Sequence, residues 1–169
     1  HEDKFFIVSA HREENVDTPD DLRDLLETLR ALADMYQYPI IVSTHPRTQK
    51  RLAELDLSGM SPLIQFLKPF GFTDYIRLQM AAACVISDSG TITEETSLLG
   101  LKAITIRNAH ERPEGMDEGV LIMSGLKKAR VLDAVRVVIE QKAEQPGVAP
   151  VVKDYENPHV ARQVLRVVL

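Results

Sequence analysis

Cysteine is nearly absent from the 169 residues: Cys84 stands alone, so no disulfide can form within the chain. Its place in the run Ala-Ala-Ala-Cys-Val-Ile marks it as a small buried hydrophobe in a reducing, cytosolic setting. No stretch of about 18 apolar residues is present to span a bilayer, and His1-Glu2-Asp3-Lys4 lacks the basic start and apolar core of a secretory leader. Acidic residues outnumber basic ones, 25 to 20. A net charge of −5 without a long basic run argues against a sequence-independent grip on nucleic acid, and an anionic ligand would need a locally positive pocket. No internal repeat, low-complexity tract or linker divides the chain, so residues 1–169 are expected to form one domain, long enough to bury most of its apolar surface. It opens almost directly on an apolar strand and without methionine, and the expectation is a piece excised from a longer protein.

What is present is an alternation of short apolar runs with amphipathic ones. Lys4 to Ser9 reads as a buried parallel strand. Thr18-Pro19-Asp20-Asp21 then supplies a cap, a first-turn proline and first-turn acids to a helix whose Leu22, Leu25, Leu26, Leu29 and Leu32 share one face. Further strands are expected at Pro39 to Ser43, Leu63 to Leu67, Cys84 to Ser87, Lys102 to Ile106 and Val120 to Met123. Helices are expected over Pro46 to Leu55, from a Thr73-Asp74 cap through Ala83, from Thr91 to Leu99 with Gly100 ending it, and over Ala129 to Lys142 before Gln145-Pro146-Gly147. Asn157-Pro158 starts a last helix with Val160, Val164, Leu165 and Val168 on one side, a face suited to a partner domain. The alternation implies a doubly wound, mostly parallel α/β sheet of the Rossmann-like kind, with ligands held beyond the carboxyl ends of the strands.

Three polar clusters fall at those ends: Ser9 to Asn15, Ser87 to Thr91, and His110 to Gly115. Strand, Asp-Ser-Gly-Thr, then helix places backbone N–H groups and a positive dipole end around Gly90, a seat for phosphate. The alternative is that Ser89 or Asp88 caps the helix and Gly90 turns the chain. Glu94 and Glu95 are either ordinary first-turn acids or acceptors for ribose hydroxyls, and Asp88 an anchor for the loop. His11 and Arg12 either offer donors to a diphosphate or are solvated. Arg112, beside Pro113 and between two acids, belongs to an ion-pair network or faces phosphate. His45 and Pro46 line the same cleft or start a helix; Phe66, Phe70, Phe72 and Tyr75 either stack on a base or belong to the core.

Taken together, His-Arg-x-Glu-Asn (His11 to Asn15), Asp-Ser-Gly-x-x-x-Glu-Glu (Asp88 to Glu95) and Glu-Arg-Pro-Glu (Glu111 to Glu114) resemble the C-terminal half of the non-hydrolysing UDP-N-acetylglucosamine 2-epimerases, which have the two-domain GT-B fold. The resemblance covers essentially the whole chain. It implies that His11, Ser89 and Gly90 contact the diphosphate, Glu95 the ribose hydroxyls, Arg112 the phosphate side of the cleft, and Tyr75 the uracil. In some bacterial members Arg12 and His45 would match residues of a second, regulatory UDP-sugar site. Thr91 replaces the family's usual second glycine, Glu13 a frequent arginine, and Lys102-Ala103 a common Lys-Pro. These departures look like the branch that forms UDP-N-acetyl-L-fucosamine for capsule and O-antigen synthesis.

In that family C2 is inverted by proton removal with departure of UDP, and UDP re-adds after reprotonation on the other face; no metal or redox cofactor is implied. A helix N-terminus with His11 and Arg112 can stabilise the departing diphosphate, which makes His11 the candidate catalytic residue here. The residues that handle the C2 proton belong to the family's N-terminal half, so this chain alone is expected to bind UDP weakly and not to epimerise. A homodimer is expected of the full-length enzyme. Competing readings are the donor-binding half of a GT-B glycosyltransferase and a non-catalytic nucleotide-sugar sensor. A receiver domain or a dehalogenase-type phosphatase needs acids at the end of the first strand, where Ser9-Ala10-His11 stands instead.

Overall fold

A computed structural model of the chain describes residues 4–12, 18–55, 57–109, 112–144 and 151–169. Six parallel strands, β1 (Phe6–Ser9), β2 (Ile40–Ser43), β3 (Ile64–Leu67), β4 (Cys84–Ser87), β5 (Ala103–Thr105) and β6 (Ile122–Met123), form one sheet in the order β3-β2-β1-β4-β5-β6. Between and after them lie α1 (Pro19–Tyr36), α2 (Pro46–Ala53), α3 (Phe72–Ala81), α4 (Ile92–Leu99), α5 (Pro113–Asp117), α6 (Lys128–Glu144), a 3-10 turn at Lys153–Glu156, and α7 (Val160–Val168).

β1 lies at the centre, paired with β2 along one edge and β4 along the other, and helices cover both its faces, which is why its sequence is an apolar run. Phe6 and Val8 enter one core with Cys84 and Ile86 of β4, the leucines of α1, and Val131, Ala134 and Val135 of α6. Ile7 and Val85 point to the opposite core, against Ile92 of α4 and the partly buried Tyr75 and Leu78 of α3. α1 forms as its sequence dictates. The Thr18 hydroxyl accepts the Asp21 N–H at 3.1 Å, Pro19 fills the first position, and Leu29 and Leu32 are wholly covered. Gln37 closes the helix in the left-handed region (φ 53°), its N–H returning to the Ala33 carbonyl.

The register aligns the last strand residues into a row. Ser43, Ser9, Ser87 and Thr105 are lateral neighbours, and with them the apolar sheet gives way to hydroxyl groups at its carboxyl edge. The order of strands reverses between β1 and β4, so the loops leaving these two strands open the crevice in which doubly wound sheets hold ligands.

Two expectations need correction. The helix sought from a Thr73-Asp74 cap to Ala83 runs Phe72–Ala81, with Gly71 at its N-cap position and no side-chain cap. The Gly71 carbonyl accepts the Tyr75 N–H, and the far end stops early because Ala83 donates its N–H to Phe5 and is drawn toward the sheet. α5 and the 3-10 turn were not expected at all. The Gln145-Pro146-Gly147 stop, Glu13 to Asn15, and His110-Glu111 lie outside the described residues.

Truncating the covered Leu29 to alanine is expected to cost about 2–5 kcal/mol of unfolding free energy, and removing the exposed cap by Thr18→Ala about 1 kcal/mol; urea denaturation of both variants measures the difference.

Candidate functional site

Asp88 leaves β4 with no exposed surface, and its side chain turns away from the helix that follows. Oδ2 accepts the backbone N–H groups of His11 and Arg12, each at 2.9 Å, and Oδ1 stands 3.0 Å from His11 Nδ1. Arg12 Nε donates to the Asp88 carbonyl at 3.0 Å, while the Asp88 N–H donates to the Ser9 carbonyl. The loop after β1 is thus clamped to the loop after β4 across the switch point. The clamp raises the His11 pKa above 6.5: the hydrogen bond to Asp88 is the main cause, its negative charge adds to it, and partial burial and Arg12 pull the other way.

With Asp88 committed to this clamp, α4 starts without a side-chain cap. Thr91 occupies the N-cap position and makes no capping bond. Ser87 Oγ accepts the Ser89 N–H at 3.1 Å and Ser89 Oγ accepts the Thr91 N–H at 3.4 Å, so of the two side chains read as caps Asp88 is turned away while Ser89 bonds locally at the start of the helix. Ser89 Oγ and Thr91 Oγ1 are 3.0 Å apart, and Thr91 Oγ1 donates to Glu95 Oε1 at 2.7 Å. The other oxygen of Glu95 accepts from Gln79 Nε2 at 2.7 Å, and Gln79 is buried. Glu95 is held by two donors at one helical turn from Gly90, with its remaining lone pairs available to hydroxyl donors.

Tyr75 sits beside this group, half-buried on the second core. Its hydroxyl is pushed up to about 12, first by burial and further by the negative charges of Glu95 and Asp88, with hydrogen bonding to Ser9 and Gln79 pulling the other way. Arg112 enters from the loop after β5. Its Nε is bonded to Glu94 Oε1, so it does belong to an ion-pair network, and it also lines a small cleft with Ser89, Gly90, Thr93, Thr105 and Arg107. The two readings of Arg112 are compatible. Arg12 is drawn into the clamp, and the exposed His45 stands two residues beyond β2, its carbonyl accepting the Gln49 N–H at the start of α2.

Sequence reasoning missed Arg107, Gln79 and the part played by Thr91. Arg107 follows β5 at the same sheet edge, buried to 7% exposure, and the strand-end rule that picked out the other loops would have found it. Gln79 gave no such signal, because its partner lies sixteen positions away on another helix.

The whole chain, residues 1–169, matches the sequence model of one protein family, described as UDP-N-acetylglucosamine 2-epimerase. The chain belongs to that family. Its sheet and helices are the doubly wound, Rossmann-like domain of the GT-B architecture. Among solved structures, a UDP-N-acetylglucosamine 2-epimerase from Rickettsia bellii is 47% identical with a TM-score of 0.89, covering 99% of this chain and 44% of that one. The Methanocaldococcus jannaschii UDP-GlcNAc 2-epimerase, solved in complex with UDP-GlcNAc and UDP, is 29% identical with a TM-score of 0.83, over 97% of this chain and 44% of that one. By sequence, a curated UDP-N-acetylglucosamine 2-epimerase from Methanocaldococcus jannaschii is 33% identical over 144 residues, 83% of this chain and 39% of the relative. The chain therefore spans about two fifths of the length of such epimerases.

The raised pKa of His11 fixes the sign of a pH effect. The His11–Asp88 interaction contributes its full stability below about pH 6.5, the ordinary histidine value, and loses it as pH rises through the higher folded-state value. NMR titration of the His11 imidazole should give a midpoint above 6.5, and Asp88→Asn should bring it to 6.5 or below, since burial and Arg12 then act alone.

Proposed function

We propose that the chain is the UDP-binding half of a UDP-N-acetylhexosamine 2-epimerase. The observation that carries the reading is that Asp88 clamps the His11 loop to the loop after β4 at the switch point of the sheet, where Ser89, Gly90 and Arg112 line one cleft at the start of α4 and Glu95 of the same helix is held by two donors. Backbone N–H groups and the dipole of α4 would receive the diphosphate, with Ser89 and Gly90 nearest and Gly90 allowing close approach. His11, held by Asp88 and favoured in its charged form, would face the phosphate side together with Arg112. Glu95 would accept the ribose hydroxyls, and Tyr75 would stand by the uracil.

In this reading the chain's share of catalysis is electrostatic. As the bond from C1 to the diphosphate breaks, negative charge grows on UDP, and preformed donors stabilise it without reorganisation. His11 is the candidate catalytic group at that step. Removal and return of the C2 proton fall to a further, N-terminal domain of the parent enzyme. Two features are in keeping with such a domain: the coverage of about two fifths of the relatives, and the apolar side of α7, where Val160, Val164 and Leu165 are each more than half exposed.

The substrate we propose is UDP-N-acetylglucosamine or its C2 epimer, with a 6-deoxy UDP-N-acetyl-L-hexosamine as the variant suggested by Thr91 and the loop after His11. The product would serve bacterial surface polysaccharide, capsule or O-antigen, synthesis. A UDP-sugar is charged and does not cross membranes unaided, so the work belongs in the cytoplasm, in a parent enzyme that is a homodimer. Arg12 and His45 are proposed for a regulatory nucleotide-sugar site.

Calorimetric titration of the chain with UDP is expected to show weak binding that UMP and inorganic phosphate do not reproduce. Glu95→Ala and Arg112→Ala should each weaken it about tenfold or more, the loss expected for a hydrogen bond to a charged group. Equal affinity for UMP, or no effect of either variant, would overturn the assignment. Incubated with UDP-N-acetylglucosamine in deuterium oxide, the chain alone is expected to leave the C2 proton unexchanged; exchange above background would place the acid and base within these residues.

A further inference from the structure

Arg112 stands at the N-cap position of the short helix α5. α5 has five residues, and it rests on α4 through a contact that only glycine permits: a Cβ added at Gly115 would lie 2.1 Å from Thr93 Cγ2. A later segment reaches back to this pair of helices. The Val152 N–H donates to the buried Ser97 Oγ of α4 at 2.9 Å, and Val152 is covered there. The 3-10 turn that follows, closed by the Tyr155 N–H on the Val152 carbonyl, carries the Tyr155 hydroxyl to Glu114 Oε1 of α5 at 2.5 Å.

From this arrangement we infer that Tyr155 is a positioning residue for the nucleotide site: anchored on α4 through Val152 and Ser97, it holds α5 through Glu114 and so fixes Arg112 against Glu94 and the cleft at Ser89 and Gly90. The inference rests on the reading of that cleft as the UDP seat. Its chemistry is a short hydrogen bond from a neutral phenol to a carboxylate, a charge-assisted bond stronger than a neutral pair. Burial raises the phenol's pKa well above its usual value of 10, and Glu114 and Glu94 raise it further, so the hydroxyl keeps its proton across the working range. Tyr155 is not among the residues that line the cleft at Ser89 and Gly90. Its influence passes through a carboxylate two residues from the arginine, which is short enough to act by orientation alone.

Two readouts on the full 169-residue chain test this, one of them independent of any nucleotide. The Arg112 Nε–H, bonded to Glu94, should give a slowly exchanging NMR signal, assigned by its loss in Arg112→Lys. Tyr155→Phe should speed its exchange with solvent by about tenfold while the melting temperature stays within a few degrees, as expected when one hydrogen bond is lost. Glu114→Ala removes the acceptor from the other side and should reproduce the effect. In UDP titrations Tyr155→Phe should weaken binding about three- to tenfold when Arg112 is present and leave it unchanged in the Arg112→Ala background, because the two residues act in series. An unchanged exchange rate, or an equal loss of affinity in both backgrounds, would overturn the role of Tyr155. If Arg112→Ala itself leaves UDP affinity untouched, the assignment of the cleft fails, and the exchange rate alone then judges the positioning role.

Discussion

Asp88 carries a carboxylate with no solvent exposure, and a charge so placed is tolerated only when donors surround it. Here they come from the loop after β1: two successive backbone N–H groups bonded to Oδ2, and the imidazole of His11, whose Nδ1 stands 3.0 Å from Oδ1. The same bonds that satisfy the carboxylate join the ends of β1 and β4, which a parallel sheet would otherwise let diverge at its switch point. They also determine what α4 can do. A capping Asp88 would occupy the N–H groups at the start of the helix. Turned toward the β1 loop instead, it leaves that end to the hydroxyls of Ser87 and Ser89 and raises the pKa of His11. One buried carboxylate thereby sets three things: the spacing of two loops, the state of a helix terminus, and the protonation of an imidazole.

The acids around this terminus pose the next constraint. Glu94 and Glu95 suit the first turn of α4, where negative charge is favourable, but both would repel a diphosphate seated on the same turn. Each is held differently. Arg112 binds Glu94, and the pair is about 30% exposed on both sides, sheltered enough to be screened less than a surface pair. Glu95 is met by neutral donors, Gln79 and Thr91, which fix its direction without cancelling its charge. On the proposed reading, the neutralised Glu94 would stand toward the phosphates and the charged Glu95 toward the ribose hydroxyls, the distribution a ribose diphosphate requires. In a chain of net charge −5 the local sign is made by arrangement, since composition alone runs the other way.

What was legible in the sequence follows from the range of the interactions. α1 could be read almost to the residue because its signals are local: a cap, a proline, two acids and leucines at helical spacing. The six strands fell within two residues of their expected places, since burial on both faces leaves continuous apolar runs between turn residues. The loops could be read because a parallel sheet gathers its carboxyl ends. The anchoring by Asp88 was among the readings the sequence offered, and coordinates decide for it over a helix cap. α5 escaped because five residues carry too little periodicity, and its hold on α4 depends on the missing side chain of Gly115. Gln79, Arg107 and Tyr155 escaped for a related reason: the roles of Gln79 and Tyr155 are contacts across sixteen and forty-one positions, and Arg107 lines its cleft only once β4 and β5 are side by side.

The exposure of the seat bears on its strength. The His11 side chain is 43% exposed and Thr91 lies at the surface, so the open face of the cleft is wet. Two unit charges about 4 Å apart gain roughly 1 kcal/mol in bulk water and about 4 kcal/mol at the effective dielectric of a partly covered protein site. The same donors, unmoved, would therefore bind a diphosphate weakly with one wall of the cleft absent and far more tightly once a second surface excludes water. Stabilisation of a leaving UDP would grow by the same factor as the ground-state grip only if the donors aim at charge that develops during bond breaking. On the proposed reading, a histidine held at the switch point and the N-terminus of α4 would be aimed at the phosphate in this way, and closure of the cleft would be the step at which binding energy becomes catalysis.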